Sequence, residues 1–300
     1  MNEATRREIE KVTWNTLRDS GIVRPPVQVE TLLQHLHLHR HFYNLKDPGF
    51  LDRTKHKIMV YGKKLINHIT RTINLKAVLF YDENRIVIDV ELPQIRQDWP
   101  SFHEVSHKIF GWHKPYFYGD TAQTLDPDWH EMLENEANYG ASALMFCGPV
   151  FTKEANDMTK DWSSLKVLHK RYNKTMTTTL RRFVEHGPEC SMAMLVSTPY
   201  WCIKPEDQTK RWRHFVRSKM FSEQFSTVAA EDVLKAVDIN SSIRTGGPVA
   251  DFTFSLNDDN GVLHEFRAES FYNRYYLLTL CVQLKKCTEK RIVMPKVVYL

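Results

Sequence analysis

His103-Glu104-Val105-Ser106-His107 places two imidazoles four residues apart, with a carboxylate beside the first. On a helix, residues four apart share a face, so both rings can aim at one point. Neutral imidazoles suit Zn2+, which takes nitrogen, sulfur and carboxylate ligands tetrahedrally. Glu104 is rotated by about 100° from His103 around the helix axis, which sets its carboxylate beside the metal and within reach of a bound water. Zinc lowers that water's pKa from roughly 15.7 to about 7, and a carboxylate can take the proton as the hydroxide attacks a carbonyl. The segment therefore predicts a zinc hydrolase with His103 and His107 as metal ligands and Glu104 as general base.

A catalytic zinc needs a third protein ligand and one open position. His113 stands ten residues after His103, the spacing of the HExxHxxGxxH pattern, but position 110 is Phe and the glycine comes at 111. The segment Glu134-Asn135-Glu136-Ala137-Asn138 offers a carboxylate instead. Glu134 and Asn138 share a helix face, so one could bind the metal while the other hydrogen-bonds a ligating histidine. Glu136 lies roughly 200° around the same helix and would face elsewhere. Glu134 is the favoured ligand, with His113, Glu131 and Glu136 as alternatives.

Positioning these groups requires two helices in contact. Trp99-Pro100 is read as the start of the motif helix and Gly111 as the residue just past its end. Asp126-Pro127-Asp128 carries the signals of a second helix start, an N-cap aspartate with proline in the first position. That helix should run to about Phe146 and stop at Gly148-Pro149, and its small residues Ala137, Gly140, Ala141, Ser142 and Ala143 allow close packing on the motif helix. Upstream, Leu75 to Phe80 and Arg85 to Val90 flank Tyr81-Asp82-Glu83-Asn84 as a hairpin. Residues 3–17 read as an amphipathic helix and Val29 to Leu36 as a second short one. Leu36 to Phe42 alternates like a half-buried strand, and residues 47–73 read as a basic loop followed by a helix. Downstream, Val249 to Leu256, Val262 to Glu269 and Tyr275 to Leu284 read as antiparallel strands.

The chain has 300 residues, 42% hydrophobic and 26% charged, with a net charge of +5, which permits an acidic or nucleic-acid partner without demanding one. Five scattered cysteines without a CxxC pair support neither a disulfide framework nor a cysteine metal site, and point to reduced thiols. The polar start MNEATRREIEKVTW lacks the apolar stretch of a signal peptide. No window approaches the ~18–20 apolar residues of a membrane span. The expectation is a cytoplasmic protein with no membrane partner.

The hairpin, HEVSH, the Glu134-Asn135-Glu136-Ala137-Asn138 segment and the following Ala143-Leu144-Met145-Phe146-Cys147-Gly148-Pro149 together resemble the ImmA/IrrE-type metallopeptidases, in their HExxH, ExEAN and LLMP-like motifs. The resemblance spans roughly residues 25–190. It implies a gluzincin-like centre with His103, His107 and Glu134 holding Zn2+ and Glu104 as base. It also implies an intracellular peptidase that cleaves a helix-turn-helix repressor and so switches on stress or mobile-element genes. This chain departs from the family at Ser106, commonly glycine, and at Trp99-Pro100-Ser101-Phe102, where an Arg-Phe-Thr-like run is usual; neither change touches a ligand. The β-rich end suggests the longer IrrE-like branch, whose last domain is GAF-like.

The expected architecture is α+β: a zincin-like metallopeptidase domain at 1–157, a helix-turn-helix-like segment at 158–192, and a C-terminal α+β domain with an antiparallel sheet at 193–300. Within the middle segment Asn173 is expected in the left-handed region between two helices. Thr177, Thr178, Arg181 and Arg182 would then sit where DNA contacts occur, although packing or partner recognition is the favoured role. His35, His37, His39 and His41 read as solvent-facing histidines of a strand, and Lys210-Arg211-Trp212-Arg213-His214 as a solvated helix face. Tyr116, Tyr118 and His113 are candidates for stabilising an oxyanion. The rival function is a DNA-binding or partner-binding regulator that keeps the metal fold without turnover.

Overall fold

The computed structural model describes residues 1–44, 77–92, 94–115, 127–186, 190–203 and 211–286. The predicted basic loop and helix at 47–73 lie outside these residues, as do Tyr116, Tyr118, Lys210, Cys287 and the N-cap Asp126. The described chain is mixed α+β and divides into two compact units. One comprises residues 1–154 and 168–175, the other 155–167 and 176–300. Residues 158–192 are thus shared between the units.

In the first unit, helix α1 (Glu3–Asp19) is capped by Asn2, whose side chain accepts from the Thr5 N–H at 2.8 Å. It buries Ile9, Thr13 and Leu17 at helical spacing, and the chain turns away at Gly21 in the left-handed region, φ 78°. After α2 (Val29–His35) comes a three-stranded sheet in the order β1-β3-β2. β1 (His39–Tyr43) pairs parallel with β3 (Arg85–Asp89), and β2 (Ala77–Phe80) closes the predicted hairpin antiparallel to β3. β1 is shorter than its alternation suggests. Leu36 caps α2 and His37 takes φ 53°, so the period-2 run enters a strand only at His39. His35, His37, His39 and His41 are all exposed, and Phe42 is exposed too, at 43%, instead of buried.

The motif helix α3 (Gln94–Ile109) begins before Trp99, so Pro100 lies inside it. Proline forfeits one backbone hydrogen bond there, yet Phe102 and Val105 are fully buried on the following turn and hold the helix in place. Its end agrees with expectation: the helix stops at Ile109, and Gly111, just past it, opens a 3-10 turn, Gly111–His113.

Helix α4 (Pro127–Met145) crosses α3 at Gly140. A Cβ at that position would lie 2.9 Å from the Ser106 hydroxyl and closer still to the Phe110 ring. The small residues therefore permit the approach, as expected. α4 ends where Cys147 and Gly148 both take positive φ, 52° and 44°, and α5 (Pro149–Asn156) follows at the proline.

Helices α6 (Trp162–Tyr172) and α7 (Met176–His186) flank Asn173, which has φ 51° as predicted. Tyr172 is fully buried, its ring against Phe146 and Phe151. Arg182, a suggested DNA contact, is only 2% exposed, so it faces the interior of its unit; Arg181 is exposed and paired with Glu185 at 3.0 Å.

The second unit holds a five-stranded antiparallel sheet ordered β5-β4-β8-β7-β6. Its strands are β4 (Met192–Ser197), β5 (Trp212–Arg217), β6 (Gly247–Asn257), β7 (Leu263–Tyr272) and β8 (Leu277–Lys286). The last three match the strands read from alternation. β4 is buried along its whole length, which is why no alternation marks it. Helices α8 (Lys219–Gln224) and α9 (Ala230–Asn240) complete its core through Phe221, Val233 and Val237 against Leu195 and Phe266. Trp212-Arg213-His214 lies on strand β5, not on a helix face, and Arg211 before it grips Asp238 with two hydrogen bonds of 2.5 and 2.7 Å.

Four of the five cysteines are described, Cys147, Cys190, Cys202 and Cys281, and all four are free thiols. No helix among the described residues is long and apolar enough to cross a membrane.

Candidate metal centre

Helices α3 and α4 meet with three of the expected groups facing one another. His103 and His107, one turn apart on α3, bring their Nε2 atoms to 3.2 Å. Glu134 on α4 reaches between them, with Oε2 3.2 Å from His103 Nε2 and Oε1 3.3 Å from His107 Nε2. The ligand atoms of the three lie within 4.8 Å of one another, a cluster that could hold a metal ion and the one such group of histidine, cysteine and acidic side chains among the described residues. His107 is buried, whereas the Glu134 side chain is 33% exposed, so the cluster opens to one side.

The electrostatics follow from crowding these groups. Burial works against the charge of Glu134, but hydrogen bonds from His103 and His107 outweigh it and hold the carboxyl far below the usual carboxylate range. Burial also opposes charge on His103; its hydrogen bond to Glu134 and the nearby carboxylates prevail and raise its pKa above 6.5. His107 is deeper, so burial prevails there and its pKa falls.

Glu104, on the same helix, is 9% exposed, and burial pushes its carboxyl up to about 7, with the Glu134 charge adding to the rise. His103 and a hydrogen bond from the Leu79 backbone on β2 act in the opposite direction. A carboxyl balanced near 7 is suited to accept and return a proton at neutral pH.

Asn138, one turn beyond Glu134, lies with Oδ1 3.1 Å from His103 Nδ1, the role its spacing suggested. With Nδ1 engaged there, Nε2 of His103 is the atom that faces the cluster.

The alternative ligands lie elsewhere. Glu131 is on an exposed face of α4 with Met132 and Asn135. His113 and Glu136 do not enter the cluster; they meet each other behind it. The 3-10 turn folds His113 back so that its Nδ1 lies 2.9 Å from His107 Nδ1, while its Nε2 lies 3.1 Å from Glu136 Oε2. Trp112 Nε1–H donates to the same carboxylate oxygen at 2.7 Å. His113 is fully buried, and burial with the adjacent His107 lowers its pKa to about 4. Sequence reasoning treated these two residues as rival ligands. No local signal in the sequence pairs them.

The chain matches no family model and no curated protein. Among solved structures it is similar to a Mycobacterium tuberculosis transcriptional regulator, at 11% identity and a TM-score of 0.53, over 92% of this chain and 88% of that one. At that identity the likeness concerns the fold alone.

Proposed function

We propose that this chain is a zinc-dependent endopeptidase with a zincin-like, gluzincin-type metal domain, akin to the ImmA/IrrE-type metallopeptidases. His103, His107 and Glu134 would hold the zinc, and Glu104 would serve as general base. The observation that carries the reading is the spacing of the donors. Ligands at ~2.0–2.1 Å from a tetrahedral zinc stand about 3.3–3.4 Å apart; here the two Nε2 atoms are 3.2 Å apart, and each lies within 3.3 Å of a different Glu134 oxygen, Oε2 for His103 and Oε1 for His107. Two imidazoles with one carboxylate are also a catalytic, not a structural, ligand set.

Zinc bound there would supply a Lewis acid and a water acidic enough to lose a proton near neutral pH. Glu104, poised near 7 beside the cluster, would take that proton on its carboxylate and return it to the departing amine. Asn138 would orient His103. The substrate class proposed is a protein, specifically a helix-turn-helix repressor whose cleavage derepresses stress or mobile-element genes. Supporting the longer IrrE-like branch are the two helices around Asn173 and the antiparallel sheet of the second unit, read as GAF-like.

A second reading is a transcriptional regulator that retains the metal fold without turnover. It draws on the name of the Mycobacterium tuberculosis neighbour, a transcriptional regulator. Incubating the zinc-loaded protein with a repressor encoded beside it separates the two. The peptidase reading expects a cut that Glu104→Gln abolishes. Undiminished cutting by that variant sinks the mechanism; binding of the repressor or of DNA with no cut favours the regulator.

A further inference from the structure

Behind the cluster, two polar groups that the proposed chemistry does not use are buried together. His113 is 0% exposed and Glu136 4%, and His113 meets the ligand set at His107. A carboxylate has no proton to give, so the hydrogen between Glu136 Oε2 and His113 Nε2 belongs to the imidazole. In a neutral ring that leaves His113 Nδ1 bare, able only to accept. The contact of 2.9 Å between the two Nδ1 atoms must then be bridged by a hydrogen on His107. His107 then meets Glu134 and His103 through Nε2, at 3.3 and 3.2 Å, the atom a metal would take.

From this geometry we infer that Glu136 and His113 are positioning residues, an outer relay that locks His107 in the one tautomer able to bind a metal through Nε2. The inference rests on the metal-centre reading above. Trp112 anchors the far end by donating to the same oxygen of Glu136, which keeps that oxygen an acceptor. His103 receives the matching service from Asn138, an exposed amide, whereas His107 is held by a chain of buried groups. The two ligands are therefore fixed by different devices. Outer-shell partners of metal-binding histidines typically account for about 10- to 100-fold in metal affinity.

The test combines tautomer assignment with metal affinity, neither of which depends on turnover. In the zinc-loaded protein with 15N-labelled histidine, long-range 1H–15N correlation should find His107 protonated on Nδ1, and His113 protonated on Nε2 but bare on Nδ1. Zinc affinity, measured by competition with a chromophoric chelator, should fall about 10- to 100-fold in Glu136→Leu and in His113→Ala. The double variant should be no weaker than His113→Ala, because Glu136 acts only through His113. His113→Asn, whose Oδ1 can accept where Nδ1 did, should restore much of the loss; a merely structural role would not show that recovery. The inference is overturned by a protonated His113 Nδ1, by wild-type zinc affinity in the folded variants, or by additive losses in the double variant. Zinc retained in His103→Ala would instead overturn the metal-centre reading on which the relay stands.

Discussion

Replacing Glu104 with glutamine should stabilise the metal-free protein, and by an amount that depends on pH. The carboxyl is buried and its pKa stands at about 7 against the usual 4.5, so the folded protein binds this proton more tightly than the unfolded chain does. It therefore contributes stability below pH 4.5, and that contribution is lost as the pH rises from 4.5 to about 7. With 1.36 kcal/mol for each factor of ten, the buried carboxylate costs the fold about 3 kcal/mol above neutrality relative to the protonated form. Glutamine keeps the shape, never ionises, and escapes that loss. Urea unfolding of both proteins in a chelator, followed by tryptophan fluorescence, should give stability profiles that diverge as the pH rises. The advantage of the variant should grow by about 3 kcal/mol between acid and mildly alkaline conditions. Profiles that stay parallel across that range would refute the claim that burial holds this carboxyl near neutrality.

The crossing of the two helices makes a second prediction. Gly140→Ala would drive a methyl into Ser106 and Phe110; overpacking at about 1–3 kcal/mol should exceed the ~1 kcal/mol gained in helix propensity, and both the melting temperature and zinc affinity should fall. Asn173→Ala puts a β-carbon where φ is 51° without asparagine's local hydrogen bonding, so thermal melting should show a loss of about 1 kcal/mol. Because the proton on His103 is held above its ordinary 6.5, it competes with metal early on acidification. Zinc affinity measured against pH should begin to fall while the pH is still above 6.5, with Glu134 remaining ionised throughout.

The parts legible in the sequence were those set by helical periodicity. His103 and His107 share a face because they are one turn apart, and Glu134 and Asn138 share one for the same reason, so their roles could be paired before any packing was known. The hairpin after Ala77 and the last three strands were marked by alternation and turn residues. What could not be read were contacts created by packing. Glu136 was judged to face away from Glu134, which is correct, yet nothing local says that the chain after Phe110 turns back in a 3-10 turn to present His113 to it. β4 was missed because a strand buried on both faces has no period to detect. Basic residues interleaved with an aromatic at Lys210 to His214 read as a solvated helix face, whereas pairing with β4 makes Trp212-Arg213-His214 part of a strand.

The most direct measurement is metal content. After purification in the presence of zinc and removal of unbound ions, elemental analysis should find about one zinc per chain. Substitution of His103 or Glu134 by alanine should abolish it, and His113→Ala should weaken the binding while leaving the site able to fill at high zinc. Full zinc retained in His103→Ala and Glu134→Ala, or a wild-type protein that binds none, would contradict the convergence of two imidazoles and one carboxylate on a single ion.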